Sequence, residues 1–131
     1  MLYRLRQSTV IVGIFVLSTG LSGCDNSKDV ITSAELAMRI DAGTAPLILD
    51  VRTPEEYAAE HIPGAINISH TELDERLPEL ASYKHEEIVV LCVSGKRTAL
   101  AAEILLEAGF ADIRDLKGHM QQWTANGYPL E

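Results

Sequence analysis

Ile88-Val89-Val90-Leu91-Cys92-Val93-Ser94-Gly95-Lys96-Arg97-Thr98 contains the sharpest change of character in this chain. From Ile88 to Leu91 every residue is apolar and most are β-branched, the composition of a strand buried on both faces. A short polar loop with one glycine follows. From Thr98 to Ala108 the sequence reads as a helix, which Gly109 ends. In open α/β sheets ligands bind beyond the carboxyl ends of the strands. The segment from Cys92 to Thr98 is therefore where chemistry is expected.

Outward from this segment the same alternation continues. Val30-Ile31-Thr32 suits a short strand, and Ser33 is placed to cap a helix from Ala34 to about Ala42, stopped by Gly43. Pro46-Leu47-Ile48-Leu49 is a second buried-strand run ending at Asp50-Val51-Arg52. Thr53-Pro54-Glu55-Glu56 has the cap, the first-turn proline and the early acids of a helix start, with an end expected near Glu60. Ala65-Ile66-Asn67-Ile68 is a further strand, and Thr71 to Leu80 is partly helical, limited by Pro78. Toward the C-terminus Ile113 to Leu116 reads as the last strand. Met120 to Ala125 reads as the last helix, with Trp123 in the core and Asn126-Gly127 as its stop. Strands separated by helices imply a parallel sheet with helices on both faces, an α/β fold.

Composition narrows the function. The chain has 131 residues, 47% apolar and 23% charged, with a formal net charge of −8 from 11 basic and 19 acidic side chains. Such a balance disfavours nucleic acid as a partner, which needs a basic face. Aromatic residues at 5% are too sparse for a base-stacking platform. Two cysteines make neither a disulfide scaffold nor a four-cysteine zinc site. His70, His85 and His119 share no ligand spacing, so no metal is expected. Asn67-Ile68-Ser69 matches a glycosylation sequon and is read as a chance match.

The N-terminus carries Arg4 and Arg6, and no acid precedes Asp25. The apolar stretch from Val10 to Leu17 is too short to cross a bilayer, which needs about 20 apolar residues. A basic flank before a short apolar core is a secretory signal pattern. Leu21-Ser22-Gly23-Cys24 then resembles the box that ends a bacterial lipoprotein signal. That resemblance implies a signal peptide over 1–23, lipidation of Cys24, and a linker over 24–29 leading into a domain over 30–131. It also implies a protein of the bacterial cell envelope. Asp25 after the cysteine implies the periplasmic face of the inner membrane.

With Cys24 lipidated, Cys92 would be a lone thiol in an oxidising compartment, either buried and inert or retained for chemistry. A single cysteine at a strand end is most often a packed small hydrophobe. Three features favour chemistry here. The helix start offers unpaired N–H groups and a positive dipole end, which ease thiolate formation. Gly95 lets successive amides curl into an anion nest. Lys96 and Arg97 bring positive charge to an acidic protein. Cys92 is thus the expected nucleophile above an anion cradle. Tyrosine-phosphatase loops are one residue longer between Cys and Arg than the Val93-Ser94-Gly95-Lys96 spacing here, which favours a smaller reacting centre.

The chain resembles the single-domain rhodaneses, thiosulfate or related sulfurtransferases. The resemblance rests on Leu49-Asp50-Val51-Arg52, Glu55-Glu56-Tyr57, His61-Ile62-Pro63-Gly64-Ala65-Ile66-Asn67, the Cys92–Arg97 loop, Gly109-Phe110 and Leu116-Lys117-Gly118, closed by Trp123. It implies a rhodanese-like five-stranded parallel sheet flanked by helices, and a Cys92 persulfide formed without metal or organic cofactor. The donor would be a small anionic sulfur compound, and the acceptor cyanide, a thiol or a protein. Amides from Val93, Ser94, Gly95, Lys96, Arg97 and Thr98 would stabilise the persulfide. Arg97 would hold substrate or fix the loop, and Asp50 and Arg52 would support it. His61 would begin a turn rather than act as a base. The chain departs from the family pattern at Val93, an apolar residue at the rim, and at His119, where a second glycine is common. The second departure is expected to put an imidazole near the mouth. A non-enzymatic binding module on the same fold is the rival expectation.

Overall fold

The computed structural model describes residues 29–131, so the signal, the Cys24 box and most of the linker lie outside the described residues. The chain runs β1 (Val30–Ile31), α1 (Ser33–Asp41), β2 (Leu47–Asp50), α2 (Pro54–Ala59), β3 (Ile66–Asn67) and α3 (Leu73–Arg76). A 3₁₀ segment (Leu77–Tyr83) leads into β4 (Glu87–Leu91), α4 (Lys96–Glu107), β5 (Asp112–Leu116) and α5 (His119–Ala125). All strand pairs are parallel, in the order β1-β5-β4-β2-β3. β4 is central, and its carboxyl end opens at the middle of the sheet edge.

The period of two along each strand sorts side chains between two cores. Ile88, Val90 and Cys92 join Leu49, Val51, Ala101 and Leu105 on the α3–α4 face. Val89 and Leu91 join Ile48, Leu36, Met120 and Trp123 on the α1–α5 face. Helices therefore cover both faces, as the unbroken apolar run of β4 requires. At roughly 25 cal/mol per Å² of apolar area, these two layers are the main favourable term in folding.

The element boundaries differ from expectation in small, explicable ways. Thr32, not Ser33, caps α1, its hydroxyl accepting from Glu35 N–H at 3.1 Å. The Thr71–Leu80 stretch divides into one short α-helical turn and the 3₁₀ segment that carries Pro78. α4 begins at Lys96 rather than Thr98, because Gly95 takes a left-handed turn at φ 113° and the chain enters the helix at once.

Candidate active site

Cys92 is the first residue beyond β4 and is 1% exposed, packed as the last member of the α3–α4 core. The left-handed turn at Gly95 folds the loop back over the sulfur, and Gly95 N–H donates to Cys92 Sγ at 2.9 Å. Burial pushes the thiol up. The Thr98 hydroxyl, then the Thr98, Gly95 and Ser94 amides, outweigh burial and hold Cys92 below its ordinary value. Thr98 is 3% exposed, and its hydroxyl completes no hydrogen bond among the described residues. A hydroxyl rotor without a partner can turn its O–H toward the sulfur, where a thiolate accepts more strongly than a neutral thiol.

α5 forms the back wall of the loop. Met120 N–H donates to Cys92 O at 3.0 Å and Gln121 N–H to Val93 O at 3.3 Å. His119 is 5% exposed, so the imidazole lies beneath the loop and not at its mouth, a correction to the expectation. Its Nδ1 accepts from Cys92 N–H at 3.4 Å, and its Nε2 faces Asp115 Oδ2 at 3.5 Å. Burial pushes this imidazole down, while Asp115 and the Cys92 sulfur more than reverse it and hold it above its ordinary value. The Cys92 amide opposes protonation, because it needs the lone pair at Nδ1.

Arg97 forks onto Glu56 of α2, Nη1 to Oε1 at 3.0 Å and Nη2 to Oε2 at 2.9 Å. Its guanidinium is thus engaged in bracing the loop against α2. Asp50 and Arg52 are both buried and bind each other, the closest contact being Nη2 to Oδ2 at 2.7 Å. Arg52 Nη2 also donates to Glu60 O at 2.8 Å, and Asn67 Nδ2 donates to Asp50 O and Arg52 O at 3.0 Å each. Their support therefore reaches the Cys92 loop at one remove, by fixing the corner from which α2 presents Glu56. His61 stacks on Tyr57, and its backbone exchanges hydrogen bonds with Glu131 at 2.9 Å each way. These contacts tie the chain before Pro63 to the C-terminus.

Ser94 and Lys96 are exposed, and no carboxylate lies within ion-pair distance of Lys96 among the described residues. Val93 is 40% exposed and borders an open cleft of about 600 Å³ with Arg52, Glu60, Met120 and Gln121. Two participants escape the sequence reading: Glu56 reads as a helix-start acid and Asp115 as a strand residue, whereas His119 stands out in the sequence but is expected at the mouth. A paired cation and anion far apart in sequence leave no local signal, and only the tertiary fold joins Arg97 to Glu56.

The arrangement is a buried thiol held by the Gly95 amide at the start of α4, with Lys96 exposed beside it and Arg97 paired to Glu56. Residues 32–126 match the Rhodanese family, described as a rhodanese-like domain. A Bacillus subtilis protein named as a sulfur carrier is 31% identical over 112 residues, covering 84% of this chain and 60% of that one. The thiosulfate sulfurtransferase PspE of Escherichia coli is 39% identical over 70 residues, 53% of this chain and 67% of that one. Among solved structures, a rhodanese-related protein of Thermoplasma volcanium superposes with a TM-score of 0.67 at 35% identity, covering 78% of this chain and 96% of that one. Of several further curated relatives the chain spans only 45% to 51% of the length. The family profile, the five-stranded parallel sheet and the cysteine loop at the end of its central strand agree, and the chain belongs to the rhodanese-like domain family.

Proposed function

We propose that this protein is a sulfurtransferase that moves sulfane sulfur from thiosulfate or a related persulfide donor, through a Cys92 persulfide, to cyanide or a thiol. The observation that carries the reading is Cys92 Sγ itself, buried and held by the Gly95 amide at 2.9 Å, with its thiolate favoured by Thr98. In the first step the thiolate attacks the outer sulfur of thiosulfate. The donor S–S bond breaks, and sulfite departs with the electron pair. In the second step the acceptor attacks the terminal sulfur of the persulfide, and Cys92 leaves as thiolate. Both steps are displacements at sulfur, balanced without an oxidant or reductant. The amide ring stabilises the negative charge on sulfur in each. The apolar Val93 rim supports an organic or protein persulfide as donor, and the sulfur-carrier relative supports a protein acceptor. Lipid anchoring through Cys24 at the periplasmic face of the inner membrane belongs to the same proposal. It is tested by lipid incorporation that Cys24→Ser abolishes.

The deciding experiment takes the full chain with Cys24→Ser, leaving Cys92 as its single thiol, and incubates it reduced with thiosulfate. Intact mass spectrometry is expected to show the gain of one sulfur atom, reversible by thiol and absent from Cys92→Ser. No gain from thiosulfate and none from an organic persulfide would overturn the reading and favour a binding module.

A further inference from the structure

The displacement chemistry gives the buried imidazole of His119 no part. His119 touches both partners of the hydrogen bond that holds the nucleophile. Its Nδ1 accepts from the Cys92 amide at 3.4 Å. Its other edge lies against Gly95, so closely that a Cβ on Gly95 would stand 2.9 Å from Nε2. The same Nε2 faces Asp115 Oδ2 at 3.5 Å, which orients the ring. The His119 backbone sits at φ 50°, the only non-glycine residue with positive φ among the described residues. The next residue, Met120, donates its N–H to Cys92 O at 3.0 Å. Both polar groups of the Cys92 backbone are thus met from this one turn.

We propose that His119 is the positioning residue of the nucleophile: its ring holds Cys92 and Gly95 in the relation that keeps the Gly95 amide on Sγ. The physical ground is direct. A buried amide that loses its acceptor must find water or move, and the cost of leaving it unmade exceeds the bond's own net worth. Movement of Cys92 carries Sγ out of the amide ring. A Gly95 no longer backed by the ring is free to turn its N–H away. A strained left-handed residue persists where its surroundings over-determine it, and here the ring contacts with Cys92, Gly95 and Asp115 do so. Asp115 fixes the ring through Nε2, leaving the Nδ1 lone pair for Cys92. The inference deepens the sulfurtransferase reading and rests on it for one of its two readouts.

Two variants in the Cys24→Ser background test it. His119→Gly removes the ring and relaxes the positive φ, so any loss is not backbone strain. His119→Asn tolerates the left-handed region and returns an acceptor oxygen where Nδ1 stood. The first readout is the rate of Cys92 alkylation by iodoacetamide across pH, which needs no sulfur transfer. The second is persulfide loading from thiosulfate, split into rate and donor KM. His119→Gly is expected to slow both about fivefold at pH 7, the worth of one hydrogen bond. Its alkylation midpoint moves to higher pH, with donor KM little changed. His119→Asn is expected to recover most of the loss. A His119→Gly profile that superposes on wild type overturns the proposal. So does a His119→Asn variant as slow as His119→Gly. Wild-type protein that takes up no sulfur, yet shows the predicted alkylation shifts, sinks the sulfurtransferase reading and leaves the positioning role standing.

Discussion

Arg97 and Glu56 form a two-pronged ion pair at 3.0 and 2.9 Å across a sequence separation of 41 residues, tying the first turn of α4 to the start of α2. The Cys92 loop is thereby gripped on one side by α2 and on the other by α5, through His119, Met120 and Gln121. A loop held from both sides keeps its amides aimed without reorganisation when charge develops on sulfur.

Thr98→Val separates stability from reactivity. The wild-type hydroxyl is buried without a partner among the described residues, so its removal is expected to leave the thiol form equally stable or up to ~1 kcal/mol more stable. The same change removes the neighbour that most lowers Cys92. The alkylation midpoint should rise, and sulfur loading at pH 7 should slow about tenfold. Thermal melting alongside an alkylation pH profile checks both halves, and an unchanged profile contradicts the assignment of Thr98.

Gly95→Ala should damage both fold and site. The residue sits at φ 113°, and the new Cβ would meet His119 Nε2 at 2.9 Å. A strained backbone of this kind costs on the order of 1–3 kcal/mol. Adding His119→Gly relieves the contact but not the φ, so the double variant should regain only part of the lost stability. Full recovery in denaturant unfolding would show that φ does not limit this position.

Glu56→Gln probes the α2 grip and has a defined pH signature. Arg97 holds the Glu56 carboxyl below its ordinary value. A carboxyl lowered on folding contributes stability that is present above its unfolded pKa and is lost as the pH falls through its folded value. The pair is part-exposed, at 23% and 37%, so screening limits it to about 0.5–1 kcal/mol at pH 7. The difference between wild type and Glu56→Gln should close in acid. A gap of constant size down to acid pH would rule out the ion pair as its source.

Lys96→Ala should act on charged donors alone. Lys96 is exposed at the rim, and its charge attracts an anion without shaping the ring. Donor KM for thiosulfate should rise about two- to fivefold at low salt, and the effect should shrink as salt is added. Alkylation by neutral iodoacetamide should change little. Equal slowing with both reagents would place Lys96 in the structure of the loop instead.

Arg52→Met should be the most destabilising of these changes. It strands the Asp50 carboxylate, which is 0% exposed, without its partner. Breaking a buried pair from one side costs about 3–5 kcal/mol. Adding Asp50→Asn removes the stranded charge, so the double variant should recover a substantial share in chemical denaturation. A double variant no more stable than Arg52→Met would show that packing, not charge, sets the cost.

The run Ile88–Leu91 determined by itself a strand buried on both faces, because consecutive apolar, mostly β-branched residues suit a pleated element with a core on each side; its place at the centre of the sheet came only with the fold. Gly95 and the helix start after it marked where a backbone amide would reach Cys92, and the Gly95 N–H lies 2.9 Å from its sulfur, since turn and helix-end effects act over a few residues. The ends of α1 and α4 moved by one or two residues because caps compete locally. Tertiary structure decided the rest. Arg97 could have faced a donor, and it is Glu56 that occupies it. Asp50 and Arg52 read as direct supports of the loop, and the folded chain spends them on the corner that carries α2. His119 read as a residue of the mouth, and it is buried against the Cys92 amide and Gly95 because α5 packs its first turn against the Cys92 backbone. Periodicity and turn chemistry are local and so are legible along the chain. Hydrogen bonds and ion pairs between distant residues exist only once the sheet has brought their carriers together.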